Sequence, residues 1–226
     1  MFERVRCRLV ARRGAAGLAA LALALAMALA LGRGAGATPP GPLDPRAAGE
    51  GVAVFAGGCF WCIEAPFEAV DGVLEAISGY TGGPEVAPRY EDVSAGRTGH
   101  LEAVWVRFDP ARVSYERLLE VFWRNINPTQ ADGQFADIGP QYRTAIFAVT
   151  PAQEAAARAS REALARSGRF SAPIATEVRP AGGFWPAEDY HQDYHRKSAG
   201  PYLRYKRGSG RAGFIEREWG AGARGR

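Results

Sequence analysis

The chain has 226 residues, 28 Lys+Arg against 24 Asp+Glu and only three cysteines, a length that suits one or two domains with a substantial core. Hydrophobic residues at 47% and charged residues at 23% exclude a disordered chain. The net charge of +4 resides in the first 37 residues, with six arginines and one acid; the other 22 basic and 23 acidic groups give nucleic acid no electrostatic hold.

Residues 1–37 read as a signal peptide. An arginine-rich start leads into an apolar run over 14–31 and then Ala35-Gly36-Ala37, an A-x-A cleavage signal before Thr38. The protein is then exported, to the periplasm or another extracytoplasmic space. An uncleaved membrane anchor competes with this reading, since 18 helical residues span roughly 27 Å. Alanine fills half of that run and drives insertion weakly, which favours cleavage. Residues 38–51 (TPPGPLDPRAAGEG) read as a Pro/Gly linker without a core of its own, and 220–226 as a flexible tail. The folded domain is 52–219.

Residues 52–56 form a short apolar run stopped by Gly57-Gly58, a buried strand. Phe60, Ile63, Phe67 and Val70 then fall at helical spacing over 59–70, with Pro66 interrupting. Residues 73–80 and 101–108 alternate as strands around a Gly/Pro-rich loop. Ser114 caps a helix reaching Asn125, with Leu118, Leu119, Phe122, Trp123 and Ile126 inward. Residues 144–149 read as a strand. Thr150-Pro151-Ala152-Gln153 supplies an N-cap, a proline at the first helical position and a capping-box glutamine, and Gly168 is the stop. A strand at 174–178, a helix over 187–197 and a helical tail follow. The order β-α-β-β-α-β is the split-βαβ, ferredoxin-like pattern. It predicts one α+β domain, a two-layer sandwich with helices on one face of a mixed or antiparallel sheet.

Cys7 leaves with the leader, so Cys59 and Cys62 are the thiols of the mature chain. They close too short a loop to stabilise a fold, which points to chemistry. Cys59-Phe60-Trp61-Cys62 opens a helix, where free N–H groups favour a thiolate. Phe60 and Trp61 are costly to expose and line an apolar pocket.

The block Gly57-Gly58-Cys59-Phe60-Trp61-Cys62-Ile63-Glu64 resembles the signature of the type-A peptide-methionine (S)-S-oxide reductases. The resemblance continues through Ser78-Gly79-Tyr80-Thr81-Gly82-Gly83, Arg89-Tyr90-Glu91-Asp92-Val93, Gly99-His100-Leu101-Glu102, Asp137-Ile138-Gly139-Pro140-Gln141-Tyr142-Arg143 and Ala187-Glu188-Asp189-Tyr190-His191-Gln192. It spans essentially residues 52–219. It implies an α+β sandwich and thiol-dependent reduction of methionine S-sulfoxide in proteins, peptides and free methionine sulfoxide, through a cysteine sulfenic acid. It places the nucleophile at Cys59, the acid at Glu102, and donors to the sulfoxide oxygen at Tyr90 and Tyr142. Phe60 and Trp61 would receive the substrate methyl group, with Asp137 beside them. No bound cofactor or metal is implied, only an external thiol reductant such as thioredoxin. A monomer is expected.

Taken alone, these partner residues have ordinary readings. Glu102 alternates with Leu101 and Ala103, as a solvated strand carboxylate would. Tyr90 and Tyr142 fit half-buried aromatics, and Asp137 a turn former. His191 and His195 are four apart, but 129 residues separate His191 from Cys62, which argues against a zinc site. The basic stretch 196–226 reads as a solvated surface.

This sequence departs from its relatives after the first step. Many of them carry a resolving thiol in the C-terminal tail or before the Asp-x-Gly-x-Gln-Tyr block. Those places read Gly208-Ser209-Gly210 and Gln134-Phe135-Ala136. Either Cys62 resolves Cys59 or an outside thiol does. Two other classes compete: an exported thiol–disulfide oxidoreductase using Cys59/Cys62, and a non-enzymatic metal or peptide-binding module. Phe-Trp between the cysteines argues against the first, and stoichiometric zinc after purification would reveal the second.

Overall fold

The computed structural model describes residues 42–46 and 48–220. The expected signal peptide over 1–37, its anchor alternative, Cys7 and the end of the tail lie outside them. Among the described residues no helix is long and apolar enough to cross a membrane.

The sheet is built from β1 (Val52–Gly57), β2 (Val73–Thr81), β3 (Leu101–Phe108), β6 (Thr144–Ala148), β7 (Glu177–Pro180) and β8 (Phe184–Pro186). A two-residue hairpin, β4 (Gly133–Gln134) with β5 (Asp137–Ile138), stands apart. Strand order is β7-β6-β1-β3-β2-β8. β3 lies antiparallel between β1 and β2, and β6 pairs antiparallel with β1. This central quartet is the split-βαβ expected from the element order. β7 adds a parallel edge to β6, and β8 an antiparallel edge to β2.

The helices are α1 (Phe60–Glu68), α2 (Tyr90–Ser94), α3 (Tyr115–Arg124), α4 (Pro151–Arg166), α5 (Tyr194–Lys197), α6 (Ala199–Gly208) and α7 (Arg211–Trp219). Their starts follow local chemistry. Ser114 Oγ accepts from Arg117 N at 3.2 Å, and Thr150 Oγ1 from Gln153 N at 3.2 Å. Gln153 reaches back one residue further than a capping box, accepting from Val149 N at 3.1 Å and donating to Val52 O at 2.7 Å. It thereby ties α4 to β1.

Both faces of the sheet carry a buried apolar cluster. Phe55, Phe60, Ile63, Phe67, Val104 and Phe122 belong to the helix-side core. Val54, Trp105, Phe147 and Phe184 belong to a second cluster on the other face. Double coverage explains the unbroken apolar run of β1, every residue of which is buried. The expected linker also contributes. Leu43 exchanges backbone hydrogen bonds with Phe184 at 2.7 and 2.9 Å and packs on the second cluster.

Three further boundaries differ from expectation. The strand expected at 174–178 forms at Glu177–Pro180. The helix expected over 187–197 is confined to Tyr194–Lys197, because Glu188 and Gln192 spend their side chains on distant partners described below. The tail is not a solvated surface: Tyr202, Arg211 and Ile215 are buried.

β1 enters the site through Gly57-Gly58. Gly58 has φ +79°, and a Cβ there would lie 2.5 Å from Gln134 Cβ and 2.9 Å from Arg211 Nη2. Gly58→Ala is therefore expected to cost on the order of 1–3 kcal/mol. Thermal unfolding followed by circular dichroism should show a melting temperature several degrees lower. An unchanged value would mean the turn relaxes without its glycine.

Candidate active site

Cys59 is the N-cap of α1, with φ −46° and ψ 117°, so it stands outside the helix while Cys62 is its third residue. Cys62 N–H donates to Cys59 O at 3.0 Å. The two sulfurs are hydrogen-bonded to each other, and both thiols are free and buried. Pro66 cannot donate to the Cys62 carbonyl, so the first turn of α1 is less tightly laced than usual.

The charges around the pair are unequal. Burial pushes the Cys59 thiol up, followed by the Cys62 sulfur and the Glu102 charge. Cys62 is lowered to about 7, first by the hydrogen bond from Cys59 and then, against its burial, by Arg211 and Lys206. Of the two, Cys62 is the readier to ionise and Cys59 the one that holds its proton.

Glu102 lies on β3 opposite Tyr80 of β2 and is only 2% exposed. Its Oε2 accepts the N–H of Phe60 at 3.0 Å, which fixes the carboxyl beside the residue that follows Cys59. Burial raises its pKa to about 8, although the Phe60 N–H lowers it and Asp137 and Cys62 add further upward pushes. Glu102 is therefore a protonated acid at neutrality. Its solvated-strand reading fails because the N-terminus of α1 closes over this end of β3.

Tyr90 begins α2, and Tyr142 ends a 3-10 turn, Pro140–Tyr142. Both lie within electrostatic reach of Glu102 and Cys59. Burial pushes Tyr90 up to about 12 and Tyr142 higher still, so both hydroxyls keep their protons as donors. Phe60 is buried against Tyr80 and His191, at centroid distances of 6.0 and 4.9 Å. Trp61 is half-buried and stacks on Tyr194 at 3.9 Å. Asp137, in β5, accepts a short hydrogen bond from Tyr205 of α6. Tyr205 is also hydrogen-bonded to Cys59.

Several residues here escaped sequence reasoning. Tyr205 and Arg211 come from the tail that read as solvated. Glu188 accepts from Tyr80 Oη at 2.8 Å and Tyr90 N at 3.0 Å, and so anchors α2. His191 Nδ1 accepts from Trp61 Nε1 at 3.1 Å, orienting the indole. Gln192 both accepts from Ser78 N and donates to Ser78 O, each at 2.9 Å. Glu64 accepts from Ser78 Oγ and from Asp193 N at 2.6 Å, and burial raises it to about 7. Glu64, Ser78, Glu188, His191 and Gln192 sit inside the motif blocks, and their pairings across the fold were the missing information.

His191 and His195 do not form a metal pair. His195 instead joins Glu64 and Glu68, whose candidate ligand atoms all lie within 4.8 Å of one another. Arg196 Nη2 already stands 2.8 Å from Glu68 Oε2, and both Glu64 oxygens are engaged, so protein groups fill the place a cation would take.

The sequence matches the family described as peptide methionine sulfoxide reductase over residues 51–223. It is 51% identical over 169 residues to the peptide methionine sulfoxide reductase MsrA of Bacillus licheniformis, covering 75% of this chain and 93% of that protein. Identity to the Bacillus subtilis MsrA is 51% over 170 residues, covering 75% and 96%. Among solved structures, reduced Mxr1 from Saccharomyces cerevisiae superposes with a TM-score of 0.62 at 28% identity, covering 66% of this chain and 86% of that one. Methionine sulfoxide reductase A of Corynebacterium diphtheriae gives 0.58 at 33% identity, covering 66% and 76%.

Proposed function

The chain belongs to the type-A peptide methionine sulfoxide reductases, oxidoreductases acting on the (S)-S-oxide of peptide methionine, and on that premise we propose a sulfenic acid cycle run by Cys59, Glu102 and Cys62. The observation that carries it is the buried, protonated Glu102 held against the Phe60 N–H beside Cys59. The substrate methyl group rests on Phe60 and Trp61, and the sulfoxide oxygen faces Glu102, Tyr90 and Tyr142. Cys59 passes its proton to the Cys62 sulfur and attacks the substrate sulfur, while Glu102 protonates the oxygen. The S–O bond of the substrate then breaks, methionine leaves, and Cys59 carries the hydroxyl as a sulfenic acid. Cys62 attacks that sulfur next; an S–S bond forms and water departs.

The body holds no third thiol, so the disulfide must be reopened by an external dithiol of the thioredoxin type. The groups assigned to the substrate, Cys59, Glu102, Tyr90, Tyr142, Phe60 and Trp61, all address the sulfoxide and its methyl group, which supports activity on free methionine sulfoxide as well. The apolar run and A-x-A signal of residues 1–37 support work outside the cytoplasm, and Thr38 is then the mature N-terminus, checked by N-terminal sequencing.

The cycle is tested with one equivalent of S-sulfoxide and no reductant. Wild type should lose both titratable thiols and about 2 Da of mass, the signature of an intramolecular disulfide. Cys62→Ser should accumulate a sulfenic acid trapped by dimedone. A lasting dimedone adduct on wild-type Cys59, with Cys62 still free, would remove Cys62 from the cycle.

A further inference from the structure

Residues 187–194 hold two walls of the pocket at once. Ala187 N donates to Ser78 O at 2.9 Å, and the Gln192 amide closes on both backbone groups of Ser78, so the segment is mounted on β2. It carries His191, which is 1% exposed and packs against the Phe60 ring at 4.9 Å and the Tyr90 ring at 4.4 Å. His191 Nδ1 accepts the Trp61 indole N–H at 3.1 Å. One imidazole therefore touches both residues assigned to the substrate methyl group and one of the donors assigned to its oxygen.

The hydrogen bond fixes what stacking leaves free. Trp61 lies on Tyr194 with centroids 3.9 Å and planes 13° apart, and it meets Tyr205 edge-on at 6.0 Å. A stacked neighbour holds the plane of a ring, but sliding and rotation within that plane cost little. A hydrogen bond has a direction and a length, so it selects one in-plane setting of the indole. Because an indole nitrogen only donates, His191 Nδ1 is unprotonated and the ring proton sits on Nε2. Nε2 stands 3.9 Å from Glu188 Oε2, which favours that tautomer. Burial lowers the His191 pKa, against upward pushes from Glu188 and from Glu91 of α2, so the ring is neutral at neutral pH. Tyr90 and Tyr190 are the other titratable groups whose rings pack on it.

We propose that His191 is a specificity-determining positioning residue: by holding the Trp61 indole it sets the width of the alkyl seat and makes the site select S-methyl over longer S-alkyl sulfoxides. The inference rests on the assignment of Phe60 and Trp61 to the substrate methyl group. The physical reason is size. One extra methylene against a fitted apolar wall is worth about 10–200-fold in selection, provided the wall cannot swing away. Phe60 is 1% exposed and has little room to move, whereas Trp61 is half-buried and is the wall that could yield. His191 makes and breaks no bond in the cycle and acts through Trp61.

The test compares kcat and KM for N-acetylmethionine S-sulfoxide with those for its S-ethyl homologue, N-acetylethionine S-sulfoxide. Wild type should prefer the methyl substrate by about tenfold or more in kcat/KM. His191→Leu, which fills the space without an acceptor, should cut that preference about tenfold, chiefly by raising KM for the methyl substrate. His191→Asn, whose amide oxygen can accept the indole N–H, should restore most of it. In Trp61→Phe, which has no N–H to hold, adding His191→Leu should change the preference no further. An unchanged preference in a folded His191→Leu protein would overturn the proposal, as would equal losses on both substrates, which mark a merely structural residue. Should His191→Leu not fold, hydrogen exchange at the wild-type Trp61 indole N–H, assigned by its absence in Trp61→Phe, carries the test. Protection from solvent is expected, and exchange at the rate of an exposed indole overturns the proposal. If Trp61→Phe alone keeps the full methyl preference, the alkyl seat itself is misassigned, an outcome separable from failure of His191.

Discussion

Cys59→Ser is expected to abolish reduction of the S-sulfoxide while leaving the fold standing. The serine hydroxyl is nearly isosteric with the thiol, and the N-cap geometry of α1 accepts serine readily. Chemistry is what disappears. A hydroxyl near Cys62 and Glu102 stays protonated at any pH the protein survives, and oxygen cannot take up the sulfoxide oxygen as sulfur does. Chromatographic detection of methionine from separate S- and R-sulfoxide substrates, alongside a melting curve, checks both halves. Wild type should act on the S epimer alone. Residual S-turnover near wild type in a folded Cys59→Ser protein would move the nucleophile elsewhere.

Glu102→Gln should slow the first step by roughly 10²–10⁴-fold, the usual cost of losing a general acid. The amide keeps the size of the carboxyl and can still accept from Phe60 N, but it has no acidic proton to give. A rapid-quench measurement of methionine release isolates this step from disulfide formation. In wild type the same rate should fall as pH rises through about 8, where Glu102 loses its proton. The variant should lack that decline, and a first-step rate equal to wild type at neutral pH would exclude Glu102 as the donor.

Stability should respond in the same window. The unfolded carboxyl titrates near ~4.3, whereas the native one holds its proton to about 8. Between those values the native state binds more protons than the unfolded state, so wild-type stability declines as pH rises across the interval. Glu102→Gln, with nothing to titrate, should gain thermal stability relative to wild type from low pH towards pH 8. Parallel melting curves with a constant gap would show that Glu102 is not buried as a neutral acid.

Much of this molecule was legible because its signals are short. The alternation of residues 101–108 became β3 with the same limits, and Ser114 and Thr150 became the caps they promised to be. The element order was enough for the split-βαβ quartet, since β1, β2, β3 and β6 are each long or apolar enough to declare themselves. The edge strand β8 and the hairpin β4–β5 were not read: two or three residues show no period. The helix expected from 187 failed because local spacing was outbid by distant bonds, Glu188 to Tyr80 and Gln192 to Ser78.

The site divides the same way. The sequence alone, through its ordered motif blocks, determined the candidate parts: a cysteine pair opening a helix after Gly-Gly, a strand glutamate and two tyrosines. Only the tertiary structure decided their electrical state. Glu102 is an acid at neutrality because α1 closes over β3 and excludes water, and no property of residues 101–103 contains that fact. Tyr205 meets Asp137 across 68 residues of chain, and Arg211 reaches Gly57 across 154. Residue identity and spacing carry local geometry, because caps and periods act within a turn. Desolvation and unpaired charge depend on what the rest of the chain places nearby, and that exists only once it has folded.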